Sequence, residues 1–493
     1  MVRIFGFKPF LTLTKVILKD FSSIAQHLFK LFIILSMGFL SSCEHDQFHM
    51  GKSGDFRFST DTVMFDTIFT NIGTSTYKLL VKNPNDFKLD FDSIYVTNNQ
   101  TSQFIINING EVNLPAKSIS IDAHDSIYIF VQAFLPKTSD NTPFIQEDSL
   151  VFVSGLHRKN VKLIAFGQNV VHFKDQSILS QEWIKSKPYL IYGTVTLEPG
   201  SVLNIHEGVK VYFHRNAKLN IKGTLNILGT HQSPVFFDGD RIEKDYDTIP
   251  GQWGGIILSG AEMEHRIAWA NIRNGTTGIQ LGDYSNDKKV SAVISNTIIA
   301  NMAFSAMVAY QASILAENCV LANTGNNVCS LYGGDYVFRH CTLANYGARY
   351  VAQTTNSKAL VLQNFIDIGN GEAGYVYKDL NNAYFGNTII YGYSSNETSL
   401  RSQSGHSYNY TFENCLIRIP ETSVNNNFKY SIVNKSPRFI SAENENFRLD
   451  TLSAAKDAAN TEIGILVPFD LDNNTRTDDK APDIGAYERK EKQ

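Results

Sequence analysis

The sequence predicts an all-β protein in two parts, an N-terminal Ig-like β-sandwich followed by a single-stranded parallel β-helix. Three observations carry this. Short alternating apolar runs recur between turns from Phe56 onward, a strand-like unit then repeats at near-constant spacing, and no long helix-forming stretch follows the first 50 residues. Composition agrees, because 33 Phe and 22 Tyr are residues that strands favour. At 43% apolar and 19% charged the chain has the make-up of a folding protein. Its 493 residues exceed one ordinary core unless a repeat extends it.

Residues 1–42 read as a signal peptide, with a basic region ahead of the apolar run LFIILSMGFL. That run is too short to span a bilayer and has the length of a signal-peptide core. It ends in Leu40-Ser41-Ser42-Cys43, which resembles a bacterial lipobox. The resemblance implies cleavage before Cys43, diacylation of its thiol, and a membrane attachment through residues 43–55 as a linker. Two or three acyl chains hold stably where one is marginal. Glu44, His45 and Asp46 resemble the surface-export signal of Bacteroidetes lipoproteins, which implies an outer-membrane, cell-surface location. Net charge is −4, and the leader holds five basic residues against one acidic, so the remainder is more acidic still. Nucleic acid is thereby excluded as a partner, since phosphate binding needs a basic face.

Residues 56–170 form the expected sandwich. The runs TVMFDTIFT, YKLLVKN, DSIYVTN, FIINING, DSIYIFVQAF, DSLVFVSG and VKLIAFG supply at least seven strands at Ig-like spacing. The opening DTVMFDTIFTNIGTSTYKLLVKNPN resembles the N-terminal Ig-like domain of many Bacteroidetes surface lipoproteins, which implies a spacer or docking role. His124 and His157 stand singly, without a catalytic set around them.

Residues 171–440 carry the repeat. Asn271, Asn296, Asn318, His340, Asn364, Asn387 and Asn414 hold equivalent places roughly 22–27 residues apart, one coil of three strands and three turns. The column Thr297, Cys319, Cys341, Phe365, Thr388 and Cys415 should face inward, with Ile299, Leu321, Leu343, Ile390 and Ile417 two places on. Asp367 misfits that second column, and a register slip turning Ile366 and Ile368 inward relieves it. His340, Thr342, Tyr391 and Arg418 should face outward. Cys319, Cys341 and Cys415 then act as small core residues, because they lack zinc-site spacing and stacked parallel side chains aim poorly for a disulfide. Cys329 falls in a turn. GQWGGIILSG resembles the entry to the coils of right-handed β-helix proteins. FRLDTLSAAKDAAN and FDLDNNTRTDDKAPDIGAYE resemble the C-terminal segment of choice-of-anchor Q proteins, a pectin-lyase-like fold family. Together these imply a right-handed helix closed by a cap over 441–493.

Chemistry is thinly signalled. Pectinolytic hydrolases need paired aspartates with Gly-His-Gly and Arg-x-Lys motifs, and only Gly405-His406-Ser407 approaches one. Asp335, Arg339 and His340 share one coil and are the remaining catalytic candidates. The run Asp470, Asp472, Asn474, Asp478, Asp479 has Thr475 and Ala481 where a calcium loop needs Gly and Glu, so neither metal nor cofactor is expected. Binding has more support: Tyr375, Tyr377, Tyr384, Tyr391, Tyr393, Tyr408 and Tyr410 crowd one stretch, and aromatic faces with a polar handle suit glycans. Seven Asp-(Ser/Thr)-aliphatic triplets resemble the O-glycosylation sequon of Bacteroidetes exported proteins. That implies acceptors at Thr62, Thr67, Ser93, Ser126, Ser149, Thr248 and Thr451. The reading is a membrane-anchored, non-enzymatic envelope lipoprotein presenting a β-helix surface to a polysaccharide or surface protein. The alternative is a polysaccharide lyase or glycoside hydrolase.

Overall fold

Strand after strand shows the period-two burial that the sequence pattern requires: Tyr77–Lys82, Phe104–Ile108 and Lys218–Ile221 each alternate inward and outward side chains. The computed structural model describes residues 52–490 apart from 99, 113, 261–262, 349–355, 370–373 and 479. The signal peptide, Cys43 and the linker up to residue 51 lie outside the described residues.

Before residue 170 eight strands form two four-stranded sheets, and Leu89–Phe91 pairs separately with Ile119–Ile121. One holds Arg57–Phe58, Tyr77–Lys82, Ser126–Ala133 and Phe104–Ile108, all antiparallel. The other holds Thr62–Phe69, His157–Gln168, Phe144–Ser154 and Ser93–Val96, with its first strand parallel to the second. Val63, Leu79, Ile129, Phe152 and Leu163 fill one core between them without solvent exposure.

From Val171 the chain winds into long parallel sheets, an all-β arrangement consistent with a β-helix. A regular coil has three strands, such as Val320–Thr324, Cys329–Tyr332 and Gly334–Arg339. First and second strands of successive coils zip into an 18-stranded sheet, and third strands into a ten-stranded one. The register keeps like on like: Ile298, Val320, Thr342, Ile389, Leu416 and Ile432 align on the first face. Thr297, Cys319, Cys341, Thr388 and Cys415 are buried, and Ile299, Leu321, Leu343, Ile390 and Ile417 join one continuous core. Phe338, Phe385, Phe412 and Phe428 stack through that core with centroids 5.0, 5.1 and 4.9 Å apart, close to the strand spacing. Phe173, Trp183 and Tyr189 close its N-terminal end as parallel rings.

The repeated asparagines are corners. Asn296, Asn318, His340, Asn387 and Asn414 have φ between 48° and 55°. Asparagine tolerates this left-handed conformation better than most side chains, so the corner selects it. Two assignments change. The corner before Asn296 is Trp269, which donates its N–H to Ser295 just as Asn296 donates to Glu317, so Asn271 sits two residues inside the next strand. Asn364 belongs to a different corner, where Gly333 donates to Gln363, so the step from His340 to Asn387 is a single coil of 47 residues. An inserted hairpin, Phe365–Asp367 with Tyr375–Tyr377, mimics the repeat period. Asp367 is exposed on that hairpin, Ile366 is buried and Ile368 is exposed, so no register slip occurs. Cys329 lies inside a second-face strand, fully buried, rather than in a turn.

The C-terminal segment runs along the first face of the coils. Ala300, Val320, Ala322 and Ala344 pack against Phe447, Leu471, Ala486 and Tyr487, and Ile389, Tyr391 and Leu416 pack against Leu449 and Ile484. His340, Thr342 and Tyr391 therefore point away from the coil interior yet are buried, because a second layer covers them. Within that layer Asp470 accepts the backbone N–H groups of Asp472, Asn474 and Glu488, which makes the acidic run a turn-closing device.

Candidate functional site

The sandwich and the first coils leave a cleft where they meet, and clefts at such junctions are where ligand sites concentrate. Here it has a volume of about 580 Å³. One wall is the edge strand Thr62–Phe69 with the turn leading to Tyr77; the other is built from Tyr192, His214, Asp240, Arg241 and Glu243 on the first coils. Asn169, in the connection between the two parts, is tied to the sandwich side. Fully buried, it donates to the carbonyls of Thr138 at 3.0 Å and of Asp140, and to Thr138 Oγ1 at 2.9 Å. Its Oδ1 accepts from Thr70 Oγ1 and the Thr138 N–H, both at 3.2 Å. Phe69 meets Tyr212 across the junction, with ring centroids 5.1 Å apart.

The coil wall holds an ordered aromatic and acid pair. Tyr192 stacks on the His214 ring at 4.1 Å, and His214 Nδ1 lies 2.7 Å from Asp240 Oδ2. Burial pushes the Tyr192 hydroxyl up to about 12, with Asp240 adding to the effect. Burial also raises the Asp240 carboxyl, opposed by its bond to His214. Arg241 is held 3.0 Å from Glu243 and its guanidinium covers the Tyr246 ring at 3.9 Å. The wall thus offers ring faces beside fixed acceptors, which is chemistry for a polyhydroxylated ligand. Sequence reasoning missed it because His214 and Asp240 are 26 residues apart and their opposite wall comes from another domain. No local spacing joins such groups.

The tyrosines singled out in the sequence do not make one surface. Tyr375 packs on Phe365 at 4.6 Å, and Tyr377 lies parallel to His406 at 4.7 Å, both on the inserted hairpin. Tyr391 is buried beneath the C-terminal segment and is no exposed ring, whereas Tyr393 is 63% exposed against the edge of Tyr346. Tyr408 and Tyr410 pack onto the end of the core, with the Tyr408 hydroxyl donating to the Leu362 carbonyl at 2.9 Å. Tyr384 donates to Glu413 at 2.9 Å. The catalytic candidates also scatter: Asp335 pairs with Lys289, Arg339 pairs with Glu317, and His340 is a buried corner.

Of the triplet hydroxyl residues, Thr451 is exposed and Thr62, Thr67, Ser93, Ser126, Ser149 and Thr248 are partly so. The carboxylates of Asp66, Asp125 and Asp148 each accept the N–H of the next residue at 2.7–2.8 Å. Local turn chemistry is therefore one reason for these triplets.

No protein-family model matches this chain, and no curated protein does. Among solved structures it is similar over short stretches to a family 123 glycoside hydrolase from Clostridium perfringens. That likeness has 10% identity, 23% of this chain, 26% of the hydrolase and a TM-score of 0.17. This chain thus spans about a quarter of the hydrolase's length. A PapD-like domain of human CEP192 gives 16% identity, 26% and 95% coverage, and a TM-score of 0.17. A protein of unknown function from Porphyromonas gingivalis gives 9%, 26%, 61% and 0.18. Likenesses at this level establish no shared fold or activity.

Proposed function

We propose that this chain is a lipid-anchored protein of a Bacteroidetes outer membrane, acylated at Cys43. An Ig-like spacer carries a right-handed β-helix of the choice-of-anchor Q kind, and the whole binds a glycan or surface protein without acting on it. One observation supports the binding reading above the rest: the junction cleft sets Tyr192, His214 and Asp240 together on one wall, held by ring stacking and a 2.7 Å contact. Preformed ring faces beside oriented acceptors lower the ordering cost of binding a sugar. Glycan-array screening of the acylated protein tests this. Binding that weakens at least about tenfold in Tyr192→Ala, a loss of about 1.4 kcal/mol, supports the cleft; glycan binding that Tyr192→Ala leaves untouched removes it.

A polysaccharide lyase or glycoside hydrolase is the second reading, and one feature favours it. Glu317, Arg339, Tyr384 and Glu413 share the outer face of the ten-stranded sheet. Arg339 lies 2.8 Å from Glu317, and Tyr384 donates to Glu413. Two acids beside a Tyr and an Arg on one outward face are the residue types that general acid–base catalysis uses. New double-bond absorbance on an anionic polysaccharide, lost in Tyr384→Phe, would establish the lyase.

The seven triplet hydroxyls are proposed O-glycan acceptors. An intact mass from the native host equal to that of the acylated polypeptide alone ends that proposal.

A further inference from the structure

The sheet formed by Arg57–Phe58, Tyr77–Lys82, Ser126–Ala133 and Phe104–Ile108 buries one face in the sandwich core and leaves the other uncovered. Alternation along its strands fixes what that outer face shows. On Tyr77–Lys82 the inward residues are Leu79 and Val81, so Lys78 and Lys82 point out. On Ser126–Ala133 the inward residues are Ile129, Val131 and Ala133, so Tyr128 and Phe130 point out. Ile105 does the same on the edge strand. Ile105, Tyr128 and Phe130 are 47%, 45% and 39% exposed, values at odds with their apolar bulk. Phe130 pairs in register with Lys78 on one side and Asn107 on the other, and Tyr128 with Leu80, so the apolar groups are contiguous. Contiguous exposed apolar surface of this kind marks a contact site.

The charge on this face is one-sided. Its outward positions on the three longer strands hold Lys78 and Lys82 and no carboxylate. Lys78 Nζ sits 3.6 Å from the centre of the Tyr128 ring. Arg57 is exposed on the fourth strand. Aromatic rings interleaved with cations, free of acids, match the boundary of an anionic bilayer: rings seat at headgroup depth while lysines meet phosphate. The mature chain as a whole is acidic, so this local reversal of sign is set against its background.

Chain length names the occupant. Lys52 is fixed in the sandwich by bonds to Lys88 and Asp90. Eight residues, 44–51, separate it from the acylated cysteine, and the nine steps at 3.3–3.6 Å per residue reach at most about 30 Å. A chain anchored at Cys43 therefore keeps its sandwich within about 30 Å of the headgroups. We propose that the outer face of this sheet, centred on Tyr128 and Phe130 with Lys78 and Lys82, docks on the anionic surface of the membrane that holds the anchor. It rests on acylation at Cys43, and it supplies the second, weaker attachment that lays the molecule in a fixed orientation.

The test is lysine footprinting of the full acylated protein in vesicles of phosphatidylethanolamine and phosphatidylglycerol, against the same protein in neutral detergent. Lys429, on the last coil, is the internal control. Labelling of Lys78 and Lys82 is expected to slow several-fold in vesicles, with Lys429 unchanged. The doubly substituted Tyr128→Ser, Phe130→Ser protein, folded as judged by an unchanged melting curve, is expected to lose the protection while still floating with the vesicles. Failure of the wild type to float overturns the anchor and this proposal together. A protein that floats with Lys78 and Lys82 labelled as fast as in detergent overturns the docking face alone. Protection already complete in detergent assigns the face to a protein partner and also overturns it.

Discussion

The guanidinium of Arg476 donates to the side-chain oxygen of Asn318 at 2.5 Å, joining the C-terminal segment to a coil corner 158 residues earlier. The same group, wholly buried, meets Glu488 at 2.5 Å and the Gly485 carbonyl at 3.2 Å. Removing it leaves a buried carboxylate and a buried amide oxygen without their donor, a loss of about 3–5 kcal/mol. Arg476→Ala is therefore expected to release the C-terminal layer. Hydrogen exchange should show lost protection over residues 437–488 while the early coils keep theirs; unchanged protection there would contradict it.

Gly485 gives an independent test of the same docking. Its φ is +106°, and a Cβ there would stand 2.7 Å from Ile389 Cδ1 and 3.0 Å from Thr342 Oγ1. Gly485→Ala should cost about 1–3 kcal/mol through strain and crowding together. Denaturant unfolding should show it as an earlier loss of the C-terminal layer.

The interior of the coils was legible in the sequence because each coil repeats one chemical problem. A narrow stacked core wants Cys319, Cys341 or Thr297 beside an aliphatic, and a left-handed corner wants Asn. What the period could not reveal was a corner filled by Trp269, or a hairpin whose length imitates a coil. Nor could alternation tell an outward residue from an exposed one, as Tyr391 illustrates: it points out of the coil into a second layer. The junction cleft was illegible for a different reason. Its walls come from separate domains, and the ring contact where they meet joins Phe69 to Tyr212, which no local spacing links.

The cysteines supply a count that tests core and anchor together. Cys319, Cys329, Cys341 and Cys415 are buried and free, and burial pushes the Cys415 thiol up to about 12. A thiol that stays protonated and inaccessible does not react. The native acylated protein should give no fast reaction with a thiol reagent, and in denaturant it should release four of its five cysteines. A fifth thiol in denaturant would show that Cys43 is not acylated; any fast native reaction would contradict the core assignment.

Stability should depend on pH through Asp238. Burial raises its carboxyl from 3.8 to about 6, opposed by the bond it accepts from Asn274. A group with a raised folded-state pKa holds its proton more tightly when folded. The stability it contributes is full below about 3.8 and is lost as pH rises through about 6. Asp238→Asn, which keeps an acceptor for Asn274, should stabilise the protein by up to about 2–3 kcal/mol above pH 7 and by almost nothing near pH 3.5. Denaturant midpoints at the two pH values measure it, and an equal change at both would dismiss the carboxyl as the cause.

Asn169 should act on the connection between the sandwich and the coils, which it ties to the sandwich side. Its amide saturates the loop around Thr138 and Asp140 and receives Thr70, so Asn169→Ala strands the buried Thr70 hydroxyl and unties the partly exposed Thr138 loop. Each unpaired buried group costs about 1–3 kcal/mol, but loop relaxation and water will meet part of that demand. The expected net loss is about 2–3 kcal/mol, confined to the junction. The sandwich and the coils keep separate cores, so each should retain its own hydrogen-exchange protection. Loosening the connection should let the walls carrying Tyr77 and Tyr192 shift, and glycan affinity should fall although neither residue is altered. Tyr192→Ala removes a contact, whereas Asn169→Ala removes preorganisation. The first should mainly speed ligand release, and the second should also slow association, because the competent arrangement becomes a minor one. Binding kinetics on the two variants separate these effects, and unchanged affinity in Asn169→Ala would mean that the ligand does not touch both walls.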